Sequence, residues 1–91
     1  MGGLTLNDRE RAVLEVIGKH ENDADGKGIA ASGIVSAMQG YPGHERAWSA
    51  QQAGRIAGLL CDLGYARGTR TSLKTFYRLS SMGRGYLSVE D

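Results

Sequence analysis

The hydrophobic pattern of this chain changes character at Gly64, with helical spacing before it and extended segments after it. That switch confines the chain to helices first and a hairpin second, an α+β fold that is mostly helical. Three helices are predicted upstream. Asn7 caps the first, Glu10 stands at the matching capping-box position, and Asp8 and Glu10 suit the positive end of the helix dipole. Ala12, Val13, Val16 and Ile17, with Leu14 beside them, form its apolar stripe, and the helix runs to about His20. Glu21 to Gly28 reads as an exposed polar loop. Asp23 and Asp25 there suggest a calcium loop, but Ile34 stands where the twelfth ligand belongs, so no metal site is expected.

Ile29 marks the start of a short edge strand. The second helix spans Ala31 to Met38, with Ile34, Val35 and Met38 inward, and Gly40-Tyr41-Pro42-Gly43 ends it. In the third helix Ser49 is the cap and Gln52 its capping-box partner. Ala53, Ile56, Ala57, Leu60 and Leu63 share one face, Leu59 flanks it, and Gly64 is a left-handed stop. Gly54 and Gly58 inside this helix each cost about 1 kcal/mol relative to alanine. They mark either close approach by another backbone or a tolerated weakness. Beyond Gly64, Tyr65–Arg70 and Lys74–Leu79 read as paired strands around a turn at Thr71-Ser72-Leu73. Ser80 or Ser81 then caps a short helical tail to Leu87, and Val89-Glu90-Asp91 is expected to fray.

At 91 residues the chain makes a single domain, with an ordered core over roughly residues 4–87. Its formal charge of +1 hides an asymmetry. Residues 46–91 carry seven Lys and Arg against three Asp and Glu, whereas residues 1–45 carry four against seven. A basic half on a near-neutral chain suggests one face turned toward a polyanion. No apolar run approaches a membrane span, and the first residues lack the pattern of a secretory signal. Cys61 is the one cysteine, so no internal disulfide forms, which favours a reducing, cytoplasmic setting. The helical pattern leaves that thiol half-buried and inert.

Catalysis is not expected. His20 and His44 have no cysteine pair near them, Gly26-Lys27-Gly28 lacks phosphate-loop spacing, and the acidic residues sit on an exposed helix face and loop. His44-Glu45 is a surface pair, and no cofactor is implied.

The segment Ile56-Ala57-Gly58-Leu59-Leu60-Cys61-Asp62-Leu63-Gly64-Tyr65 resembles the end of the recognition helix in bacterial winged helix-turn-helix regulators, where a leucine-rich helix runs into Leu-Gly-Tyr and then the wing. Phe76-Tyr77-Arg78-Leu79-Ser80-Ser81-Met82-Gly83-Arg84 is similar to their returning wing strand and the turn after it. Leu4-Thr5-Leu6 and the first helix resemble how such domains begin. The long link from Gly40 to Trp48 and the glycines of the third helix depart from the pattern.

The resemblance implies three helices, a β-hairpin wing and a short C-terminal helical tail, acting on double-stranded DNA in transcription regulation or phage or plasmid control. The third helix would enter the major groove with Ser49, Gln51, Gln52 and Arg55 toward base edges, glutamine pairing with adenine and arginine with guanine. Arg46 would sit near the backbone. Arg67, Arg70 and Lys74 of the wing, with Thr69, Thr71 and Ser72 as neutral donors and Arg78 as a fourth cation, would contact phosphate. Arg84 meets either phosphate or solvent. Trp48, Tyr41 and Tyr77 are expected to pack rather than stack on bases. A homodimer on two half-sites would have to use the first helix or the tail. The other readings are a winged-helix module that docks a protein partner, and an accessory DNA-binding domain of a replication or recombination complex.

Overall fold

The computed structural model describes residues 6–40 and 49–89. Helix α1 (Asp8–Lys19) opens with a complete capping box: Asn7 Oδ1 accepts from the Glu10 amide at 2.7 Å, and Glu10 Oε1 accepts from the Asn7 amide at 3.0 Å. Ala12, Val13, Leu14, Val16 and Ile17 are all buried, a band wider than one helical stripe. The width has a structural cause. Helix α1 packs against the later helices Ala31–Gln39, Ala50–Asp62 and Ser81–Val89 and also against the strand Thr75–Leu79, so residues flanking the stripe are covered as well.

The segment predicted as a loop over 21–28 instead holds a single helical turn, α2 (Asp23–Gly26). Ala24 and Asp25 take left-handed conformations, with φ of 54° and 58°. In non-glycine residues this geometry brings Cβ against the following carbonyl, which is unfavourable. Hydrogen bonds close the turn: the Gly26 amide donates to Asn22 O, the Gly28 amide to Asp23 O, and His20 Nδ1 lies 3.0 Å from Asp23 Oδ2. Gly28 has φ +107°, and a Cβ there would strike the Tyr77 carbonyl. Only glycine lets the chain enter strand β1 (Ile29–Ala30) so close to its partner strand.

Helix α3 (Ala31–Gln39) buries Ile34 and Met38 and half-buries Val35. Helix α4 (Ala50–Asp62) begins at Ser49, whose Oγ accepts from the Gln52 amide at 3.0 Å, and buries Ala53, Ala57 and Leu60. Gly64, at φ +89°, turns the chain out of it into β2 (Ala66–Arg70), which returns as β3 (Thr75–Leu79). The sheet is antiparallel in the order β1-β3-β2, with Ile29 opposite Tyr77 and Ala66 opposite Leu79. Helix α5 (Ser81–Val89) is the predicted tail. It is docked on the body of the fold: the Tyr86 hydroxyl accepts from the Leu6 amide at 3.3 Å, and the Tyr65 and Tyr86 rings lie 5.2 Å apart.

The chain is therefore α+β and mostly helical, with five helical segments where the sequence predicts three and a tail. The added one is α2. The core joins α1, α3 and α4 to Ile29, Tyr65, Ala66 and Leu79. Among the described residues no helix is long and apolar enough to cross a membrane. The predicted turn at Tyr41-Pro42-Gly43, the packing of Trp48, the His44-Glu45 pair and the contact at Arg46 lie outside the described residues, as do Leu4, Thr5, Glu90 and Asp91.

Candidate nucleic-acid interface

The burial of α4 decides which of its residues can meet a ligand. With Ala53, Ala57 and Leu60 turned into the core, Ser49, Gln51 and Arg55 are exposed and Gln52 is half-exposed. These are the four side chains that the winged-helix resemblance would turn toward base edges. Ser49 also has a structural task, as its hydroxyl caps the helix. Among the described residues neither glycine of α4 is closely approached by another backbone. A Cβ at Gly54 would meet only Ala31 Cβ at 3.8 Å, and one at Gly58 would find open space.

In the hairpin, Arg67, Thr69, Arg70 and Lys74 are all exposed, but the sheet does not hold them together. Successive strand residues point to opposite faces. Ala66, Gly68 and Arg70 share the face of Leu79 and Tyr77, which turns toward α4, where Cys61 Sγ lies 3.9 Å from the position of a Cβ on Gly68. Arg67 and Thr69 take the other face, beside Arg78 and Phe76. Lys74 belongs to the turn between the strands.

Thr71 is not the neutral donor that the sequence suggests. Its Oγ1 donates to Lys74 O at 2.8 Å and accepts from the Lys74 and Leu73 amides, so it closes the turn. That turn lifts Leu73 to 88% exposure at the hairpin tip, an apolar residue that the sequence reading leaves without a role.

Arg84, read as meeting phosphate or solvent, pairs with Glu21, with Nη2 2.6 Å from Oε1. It also reaches a cavity of about 400 Å³ against the outer face of the hairpin, lined by Arg67, Thr69, Arg78, Ser81 and Arg84 over Gly68 and Leu79. The sequence counts Arg78 only as a fourth wing cation and leaves Arg84 between phosphate and solvent; the structure brings both to one cavity with Arg67. The signal for Arg78 is the strand period, which puts it on the face of Arg67 once the turn fixes the register. A second groove of similar volume runs between α1 and α5, where Arg11 pairs with Glu15 at 3.3 Å. It gathers no comparable positive charge.

Two titratable groups mark the seam between α4 and the sheet. Burial first, and the Asp62 carboxylate second, push the Cys61 thiol above its ordinary 9.0. Burial, and then Cys61, likewise push the Tyr77 hydroxyl above its ordinary 10.0. Both groups stay neutral in the packed seam, which keeps Cys61 a poor nucleophile.

The exposed side of α4 offers planar amide and guanidinium donors, and the hairpin offers cations on both faces. Such a surface can bind an extended polyanion. Comparison of the chain with protein-family models, with curated proteins and with solved structures found no match.

Proposed function

We propose that this chain is a small winged-helix protein that binds double-stranded DNA as a transcriptional regulator or a phage or plasmid control protein. Helix α4 enters the major groove and the β2–β3 hairpin lies on the backbone. The observation that carries the reading is the division of α4. Its apolar side is buried in the core, while Gln51 and Arg55 stand exposed on a helix that runs through Gly64 straight into a cationic hairpin. Three helices followed by a basic hairpin is the order that the sequence resemblance implies, and α1, α3, α4 and β2–β3 follow it. Work in the cytoplasm suits a chain whose single cysteine has no partner.

In this arrangement Gln51 and Arg55 read bases, and the hairpin cations neutralise phosphates without reading sequence. Selection from a random duplex pool tests the division of labour. A preferred site is expected, with Q51A and R55A each losing about 1–3 kcal/mol of discrimination at one or two positions of it. A pool that emerges unenriched removes sequence-specific control and leaves sequence-indifferent binding or a protein partner.

A further inference from the structure

The register of the hairpin sets Arg67 directly across from Arg78. Directly opposed residues of an antiparallel pair have their Cβ atoms roughly 4.5–5.5 Å apart, and like charges so placed repel. Among the described residues no carboxylate lines the cavity they share, and a third guanidinium, Arg84, enters it from α5. Glu21 takes one edge of Arg84 and leaves an excess of positive charge in the cavity. The hydroxyls of Thr69 and Ser81 complete the wall. Ser81 is the first residue of α5, so the start of that helix borders the same space, and the preceding Ser80 caps it, its Oγ accepting from the Gly83 amide at 3.1 Å.

We propose that this cavity is a binding site for a single phosphate group, held by Arg67 and Arg78 from the sheet and Arg84 from α5, with Thr69 and Ser81 as neutral donors. A tetrahedral anion with several acceptor oxygens relieves the opposed arginines and matches their planar, forked donors. Its volume suits a phosphate carrying a small substituent or one unit of a nucleic-acid backbone. The site deepens the duplex-binding reading but does not depend on it, because a phosphorylated small molecule presents the same group.

The test uses inorganic phosphate against sodium chloride of equal ionic strength, read by amide resonances and by thermal melting of the wild type, R67Q, R78Q and the double variant. Phosphate is expected to shift the Gly68, Thr69 and Ser81 amides saturably and to raise the wild-type Tm. The double variant loses binding by roughly tenfold or more. Without phosphate, each single variant melts no lower than the wild type, because a repulsion has been removed. Both side chains are exposed, so misfolding does not obscure the result. Shifts that fail to saturate, or that persist in the double variant, overturn the proposal. Adding duplex DNA then separates the sources: displacement of phosphate identifies a backbone phosphate, and undisturbed binding identifies a small phosphorylated ligand. If duplex does not bind while phosphate still saturates the site, the duplex reading falls and the phosphate site stands.

Discussion

Cys61 sits where α4 meets the hairpin, and its raised pKa has a definite sign in stability. The folded protein holds the thiol proton to higher pH than the unfolded chain does, and Tyr77 behaves alike. The stabilisation is therefore whole below the unfolded value of 9.0 and is lost as the pH rises through the folded value. Urea unfolding followed from pH 7 upward is expected to hold level and then decline beyond about pH 9, with a shallower decline in C61A. At neutral pH the thiol should react with iodoacetamide more slowly than free cysteine does. A fast reaction at neutral pH would contradict the buried seam.

At the scale of elements, glycine separates two kinds of position. Gly58 lies inside α4 with open space around its absent side chain, so G58A is expected to stabilise the fold by up to about 1 kcal/mol in denaturant titration. Gly28 combines positive φ with a Cβ direction blocked by the Tyr77 carbonyl, so G28A is expected to cost more than about 2 kcal/mol. The elements themselves were largely legible, because their signals are local. Asn7 and Glu10 are three residues apart, Ser49 and Gln52 likewise, and the left-handed stop at Gly64 is a property of one residue. What escaped depends on distant partners. The docking of α5 rests on Tyr86 with Leu6 and on Arg84 with Glu21, pairs 80 and 63 residues apart. The α2 turn puts Ala24 and Asp25 in backbone states that local propensity disfavours, and it forms because the hydrogen bonds around it close.

Across the whole molecule, the residues of α4 and the hairpin expected to meet DNA, where they fall within the described residues, are exposed or half-exposed, but sequence alone grouped the hairpin cations too simply. Arg67 and Arg70 look equivalent as basic residues of one segment, yet a separation of three along a strand sends them to opposite faces. The pairing of Arg67 with Arg78 needs the register, which the turn closed by Thr71 sets. Arg84 needs the position of α5.

If this surface binds duplex DNA through its phosphates, duplex affinity as a function of salt shows it most directly. For the wild type the logarithm of affinity is expected to fall steeply and linearly with the logarithm of salt concentration. The R67A/R70A/K74A variant should bind more weakly, with its slope reduced by roughly 0.9 for each phosphate that the missing cations no longer neutralise. Absence of binding by the wild type at low salt, or a slope that the triple substitution leaves unchanged, would contradict the account.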